Sequence, residues 1–310
     1  MFGSLLTSNF PFSANRWISA LERYYDKIVA LEGQGDNNNY NGYHFQQPPA
    51  PNGLGIGNKN MLKLAQRMMK HYARNVMNNK DDPRMVLPAT SGDIYVRRGN
   101  NILDATGLSL GVALTISTSL YLPVPHDRLF NFLRSGSNRN LWDILSIDSN
   151  IRDDVNIYSS RDPANSISLL IVESPARDKN VVEATKIYLQ ESYTDSVAMY
   201  VVYAPVDMDS VCYLLDNGKD GVDHVKIMPS GFAILPDVAV VIDGTSSGSH
   251  YLQPTQQENV VPSGGSILTI SFQILDEKIS SVDYLPPESV LIVRGLVCKT
   301  ISLIKDALLK

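Results

Sequence analysis

The segment that most constrains the fold is the C-terminal one, because it predicts a long amphipathic helix that follows a series of strands. From 287 to 309 the apolar residues advance by threes and fours, which is the repeat of a single helix face. They are Val290, Val293, Val297, Ile301, Ile304 and Leu308. A helix with one apolar face must bury that face against another layer of structure. We therefore expect the preceding strands to form the layer on which this helix packs.

Residues 93–275 supply that layer, because short runs of β-branched and aromatic residues recur along them. The predicted strands cover 93–97, 113–122, 166–173, 186–193, 199–205, 225–228, 231–235 and 267–275, with a further candidate at 238–243. Two short predicted helices, at 125–135 and 209–215, interrupt them. The series predicts an α+β fold in which a curved antiparallel sheet surrounds the long C-terminal helix, a helix-grip arrangement.

The residues before this β-rich region are organised differently. Apolar residues at helical spacing predict an amphipathic helix over 14–31, after the good N-cap Ser13. Residues 33–58 are rich in Gly, Asn, Gln and Pro and nearly empty of charge, which is typical of a linker. The glycines at 53–57 lack the G-x-G-x-x-G spacing of a dinucleotide loop and belong to this linker.

Residues 60–78 predict a second amphipathic helix, and this one is basic. Its polar positions hold Lys63, Arg67, Lys70 and Arg74, with Lys59 just before it, and none holds an acid. Residues 1–80 carry 9 Lys and Arg against 4 Asp and Glu. We expect these cations to form a solvated face, and contact with phosphate or a membrane surface is the alternative.

Composition narrows the functional class. The formal net charge is -5 and the pI about 5.5, which disfavours nonspecific phosphate binding by the chain as a whole. The longest apolar runs are interrupted by Pro236, Asp237 and Arg294, so no membrane span is predicted.

The N-terminus lacks the pattern of a signal peptide, which predicts an intracellular protein. Cys212 and Cys298 are too few for a disulfide framework and are expected to be buried apolar side chains.

The motifs that could carry catalysis do not have the context that catalysis needs. Residues 244–248 match G-x-S-x-G, but a polar run containing His250 and Pro254 follows, where a nucleophile elbow needs a helix. Ser246 is therefore expected to lie in a flexible loop. The five histidines are far apart in sequence, and no metal-ligand spacing occurs among them.

Two adjacent acid-base pairs, Asp223 with His224 and His126 with Asp127, are expected at the surface. No enzymatic activity, catalytic residue, metal or cofactor is predicted.

Seven short stretches carry a resemblance that extends over nearly all of 14–309. They are Arg16-Trp17, MLKLAQRM at 61–68, WDILS at 142–146, LQES at 189–192, VYAPVD at 202–207, PSGFAILPD at 229–237 and GGSILT at 264–269. In order and spacing these stretches resemble the C-terminal half of plant class IV homeodomain leucine-zipper transcription factors.

This resemblance implies the domain organisation. Residues 1–32 are expected to be the C-terminal helix of a truncated START domain, which accounts for a helix with no strands before it. Residues 33–58 are then the linker, and 59–310 the START-adjacent domain, itself START-like.

The resemblance also implies the function: a non-catalytic regulatory module of a nuclear transcription factor. DNA would be bound only through a homeodomain absent from this chain, and other transcription-factor subunits are expected partners. A helix-grip interior could enclose a lipid or sterol-like ligand. Its candidate lining is Tyr203, Phe232, Phe272, Val293, Val297 and Ile301. The alternative is a protein-interaction module with a fully packed interior and no lipid ligand, because cavity-lining and core residues have the same composition.

Overall fold

The computed structural model describes most of the region from residue 55 onward. The described residues are 25, 55–76, 84–89, 92–103, 109–158, 164–173, 185–195, 197–216, 222, 225–240, 260–276 and 287–310. Of the predicted first helix only Tyr25 is among them, and it is helical. Ser246, Asp223 and His224 lie outside the described residues.

The series of described helices and strands begins with a helix and ends with one. In order they are α1 (Gly55–Val76), β1 (Arg84–Leu87), β2 (Ile94–Leu103), β3 (Ser109–Leu122), α2 (His126–Arg134), 3-10 helices Gly136–Leu141 and Ile144–Ser146, β4 (Asn150–Tyr158), β5 (Ser166–Glu173), β6 (Thr185–Thr194), β7 (Met199–Val206), α3 (Met208–Asp216), β8 (Ser230–Val240), β9 (Val260–Asp276) and α4 (Pro287–Leu308).

The strands form a single sheet in the order β1-β2-β3-β9-β8-β7-β6-β5-β4, nine strands among the residues described. Every neighbouring pair is antiparallel. Strand β9, the last along the chain, pairs with β3 on one side and β8 on the other. The predicted α+β class is thereby confirmed.

One face of the sheet packs against α4 and α2. Inward side chains of β2, β3 and β5 to β9 form one apolar cluster with both helices and Trp142. These seven neighbouring strands would be roughly 29 Å wide if flat, since strands lie about 4.8 Å apart, whereas a helix with its side chains is about 10–12 Å across. The sheet therefore curves around the two helices, and α4 packs on its concave face as predicted.

The opposite, outer face of the same sheet is covered by α1. The buried side of α1 holds Met61, Leu62, Leu64, Ala65, Met68 and Tyr72, which pack against outward residues of β5, β6 and β7. The prediction that all cations of this helix form a solvated face is wrong for Arg67. Its Nη1 donates to the Val222 carbonyl oxygen at 2.5 Å, and its Nη2 donates to the Val225 carbonyl oxygen.

Several predicted boundaries are wrong. The basic helix begins at Gly55 and ends at Val76 rather than covering 60–78, so part of the glycine run predicted as linker is helical. No strand forms at 225–228, because the Val225 carbonyl accepts from Arg67 instead of from a neighbouring strand. Strand β9 begins at Val260, seven residues before the predicted start at 267. Cys212 is exposed and Cys298 half-buried, rather than both being buried.

Strand β8 merges two predicted segments into one. It runs from Ser230 to Val240, and its pairing with β9 shifts register between Pro236 and Val238. Proline has no backbone N–H to give to the ladder, so an irregularity is expected beside Pro236.

Gly231 lies where β7 and β8 approach closely, and we expect Gly231→Ala to destabilise the domain. A Cβ at this position would meet the Val201 carbonyl oxygen at 2.5 Å and the Val202 Cα at 2.9 Å. Backbone atoms on a paired strand cannot move aside without disturbing the ladder. We expect a loss of about 1–3 kcal/mol in the free energy of unfolding, typical of overpacking, measured by urea denaturation.

Gly295 is the matched control, because the same substitution there should have the opposite sign. It lies within α4, it is exposed, and nothing lies within 4 Å of its added Cβ. Gly295→Ala should stabilise the domain by about 0.5–1 kcal/mol, since alanine favours a helix interior over glycine. Equal effects at the two positions would contradict the close approach of β7 and β8.

Candidate functional site

A buried ion pair lies among apolar side chains in the concave interior. Arg139 lies in the first 3-10 helix with 0% of its surface exposed, and its Nε donates to Asp143 Oδ2 at 2.9 Å. The two residues are four apart, and the turn between Gly136–Leu141 and Ile144–Ser146 brings their side chains together. A buried charge is tolerated only when it is paired and hydrogen-bonded, so this pair is a defined feature of the core.

Asp143 organises the segment around itself. Its Oδ1 accepts from the backbone N–H of Leu145 at 3.0 Å, and its Oδ2 accepts from the Ser146 hydroxyl at 2.9 Å as well as from Arg139. The carboxylate therefore caps the second 3-10 helix, as aspartate commonly does at a helix start. The sequence WDILS at 142–146 encodes this cap.

Three aromatic rings surround the Arg139 guanidinium. Its Cζ lies 4.1 Å from the ring centres of both Tyr188 and Tyr203 and 5.0 Å from that of Trp142. These distances are within the range of cation–π attraction, which strengthens when water is excluded. We call Arg139, Trp142, Asp143, Tyr188 and Tyr203 the arginine cage.

The two tyrosines of the arginine cage are neutral phenols. Burial raises the pKa of Tyr203 far above its usual value, the Asp143 carboxylate raises it further, and Arg139 opposes the rise. The same causes, burial first, raise the pKa of Tyr188. Neither hydroxyl is therefore suited to act as a base or nucleophile near neutral pH.

Some N–H donors of the cage have no acceptor. Within the described part of the chain, Arg139 Nη1 and Nη2 and Trp142 Nε1 have no hydrogen-bond partner of good geometry. Native structures leave few buried donors in this state, so each such group calls for an explanation. An acceptor oxygen of a bound molecule placed beside these atoms would receive hydrogen bonds from them.

The six residues predicted to line the interior all belong to the same apolar cluster as the cage. Tyr203, Phe232, Phe272, Val293, Val297 and Ile301 are between 0% and 7% exposed. Their rings are in contact: Phe232 lies 5.0 Å from Trp142 and 6.3 Å from Phe272, centre to centre, both edge to face. The structure thus brings these residues together, and their role as ligand contacts stays a prediction.

Sequence reasoning missed Arg139 and Tyr188 as members of this interior. The available signal was an arginine four residues before an aspartate in the run RNLWD, which on a helical turn is an ion-pair spacing. That signal does not distinguish a buried pair from a surface one.

Other candidate groups lie elsewhere. His126 Nε2 is 3.6 Å from Asp127 Oδ2, and both side chains are partly exposed, as expected for this pair. Among the described residues no three His, Cys, Asp or Glu side chains form a group that could hold a metal ion. None of the described helices is long and apolar enough to cross a membrane.

Comparisons with known proteins give the following likenesses. The sequence model of the family described as PDF2-like, C-terminal domain, matches residues 56–310. The chain is 31% identical over 311 residues to the homeobox-leucine zipper protein ROC8 of Oryza sativa subsp. japonica, and 32% identical over 310 residues to the homeobox-leucine zipper protein ANTHOCYANINLESS 2 of Arabidopsis thaliana. Each alignment covers 99% of this chain but only 41% and 35% of the relative.

Among solved structures, the chain is similar to the crystal structure of human STARD10. The TM-score is 0.42 at 12% identity, and the alignment covers 85% of this chain and 82% of the other.

Proposed function

Because the chain belongs to the PDF2-like C-terminal domain family, we propose that it is a non-catalytic regulatory module of a homeobox-leucine zipper protein. The matched relatives are class IV proteins of that kind, as the sequence resemblance predicted. A module of such a protein works in the nucleus, and its partners are other subunits of the transcription machinery. Sequence-specific DNA binding belongs to a homeodomain.

We propose further that the interior is packed and that the module acts through its outer surface. The supporting observation is that Phe232, Val293 and Val297, which belong to the apolar cluster between the sheet and α4, are each 0% exposed. These three side chains border no space as large as a water molecule, because such a space would leave them accessible surface. Packing at this density is typical of a structural core.

The outer surface offers apolar side chains to a partner. Leu141, Leu145 and Ile147 are 48%, 60% and 41% exposed and lie within seven residues of one another, in the segment of the two 3-10 helices. Clusters of exposed large apolar residues are characteristic of interaction sites. The arginine cage fixes this segment from the inside, since Asp143 caps the helix that carries Leu145.

Val297→Trp and native mass spectrometry test the packed interior. We expect the purified chain to carry no bound lipid. We also expect the substitution to lower the free energy of unfolding by about 1–3 kcal/mol, because a packed core has no room for an indole. A co-purifying lipid, together with a folded, equally stable variant that has lost it, would contradict the packed interior.

One observation favours a second candidate function, the binding of a lipid or sterol-like ligand. The unpartnered Arg139 and Trp142 donors lie in the same interior and could hold the polar acceptor group of an otherwise apolar molecule. Trp142→Phe removes one donor and keeps most of the ring. On this function the variant should keep its fold and lose a co-purified ligand seen with the parent, whereas the packed interior predicts no ligand in either.

A further inference from the structure

The outer side of α1 carries a continuous stripe of positive charge. Lys63, Lys70 and Arg74 are exposed, and they are separated by seven and four residues, which places them on one side of the helix. No acidic residue occurs anywhere in α1. The apolar side of the helix is already buried on the sheet, so this stripe is the part of α1 available to another molecule.

The fold extends the stripe with an arginine from β2, near the edge of the sheet. Arg97 on β2 donates from Nη2 to Asn75 Oδ1 at 3.0 Å, which joins it to the last turn of α1. Ile94 and Val96 on the same strand belong to the cluster on the concave face. Because side chains alternate between the two faces of a strand, Arg97 belongs to the outer face. We call Lys63, Lys70, Arg74 and Arg97 the basic surface.

The electrostatic effect of these cations is evident at His71, one residue beyond Lys70. Burial lowers the pKa of His71, and the positive charges of Arg67, Arg74 and Lys70 lower it further. The basic surface is thus a local region of positive charge in a chain whose formal net charge is -5. The charge asymmetry indicates an anionic partner, since oppositely charged surfaces steer association.

We propose that the basic surface contacts the phosphate backbone of duplex DNA without reading its sequence. This rests on the proposed function, because a module of a homeobox-leucine zipper protein is held next to DNA. From Lys63 to Arg74 the stripe spans about 16 Å at 1.5 Å per residue, and a duplex carries one charge per ~1.7 Å of its axis. A straight row of cations therefore fits a straight polyanion. Contact made by a tethered domain needs little affinity of its own.

Fluorescence anisotropy with a labelled 20-base-pair duplex, titrated with this chain from 50 to 200 mM salt, tests the proposal. We expect weak, sequence-independent binding. The triple variant Lys63→Gln, Lys70→Gln, Arg74→Gln should bind at least ~10-fold more weakly at 50 mM salt. The slope of log K against log salt should fall by about 2–3, since each phosphate contact contributes about 0.9.

The matched control has the same change of charge on the other side of the sheet. Arg294→Gln, Lys299→Gln, Lys305→Gln removes three cations from α4 and should change affinity less than twofold. Equal losses in the two variants would overturn the proposal, because net charge alone would then explain the binding. Tighter binding to polyglutamate than to the duplex would assign the surface to an acidic protein instead. Absence of binding to the duplex would refute the DNA contact but not the proposed regulatory function. Ligand content and core stability test that function separately.

Discussion

Removal of α4 is expected to unfold the domain, which makes it the most damaging single change to this chain. Truncation after Glu288 deletes Val293, Val297, Ile301, Ile304 and Leu308, all buried against the concave sheet. The loss would expose the apolar faces of both layers at once. We expect no cooperative thermal transition in the truncated protein, followed by circular dichroism. A truncated chain that melts like the parent would refute the assignment of α4 as the centre of the core.

A point substitution on α4 tests the same element without shortening the chain. Val297→Asp places an unpaired carboxylate at a position that is 0% exposed, at a cost of several kcal/mol against a total stability of ~5–15 kcal/mol. Leu291→Asp is the control, since Leu291 lies on the same helix and is 68% exposed. It should change stability by less than about 0.5 kcal/mol.

The second large effect is expected at Arg139. Arg139→Met leaves the Asp143 carboxylate buried without its cation, a change that costs about 3–5 kcal/mol in buried pairs. It also removes the contacts of the guanidinium with Tyr188 and Tyr203. Urea denaturation should show a large fall in the midpoint with an unchanged slope.

The double variant Arg139→Met, Asp143→Asn separates charge from packing. Asparagine keeps an acceptor for the Leu145 N–H and removes the unpaired charge. Much of the lost stability should return, because replacing both members of a buried pair costs far less than removing one. If the double variant is as unstable as Arg139→Met, the cage stabilises the core through its aromatic contacts rather than through the ion pair.

The fold was predictable in its centre and not at its edges. Strands β5 to β9 are buried on one or both faces, so their sequences read as apolar runs that indicate a strand. The two strands that sequence reasoning missed, β1 and β4, are the two edges of the sheet. β4 contains Arg152, Asp153 and Asp154, and charged residues are common on edge strands because they discourage pairing with other chains. The same three consecutive charges interrupt the apolar alternation by which a strand is predicted from sequence.

The candidate site was predictable only where periodicity determines burial. Val293, Val297 and Ile301 follow from the helical repeat, and Tyr203 and Phe232 from strand alternation. Arg139 lies in a short 3-10 segment with no repeat, and its burial depends on tyrosines from β6 and β7 that are distant in sequence. The burial of Arg67 also could not be predicted from its own segment. Its guanidinium donates a hydrogen bond to the Val222 carbonyl oxygen, which lies more than 150 residues later in the chain.

The position of β9 inside the sheet determines when the sheet can be completed during synthesis. The Ser119 hydroxyl on β3 pairs with that of Thr269 on β9, 150 residues later, so the inner edge of the first three strands stays open while those residues are synthesised. At ~5–20 residues per second, synthesis of these 150 residues takes roughly 8–30 s. During that time β3 exposes the backbone N–H and C=O groups that later pair with β9, and another strand could pair with them instead. The β1–β2–β3 meander can form locally during this interval, but its place inside the sheet is completed only when β9 has been synthesised.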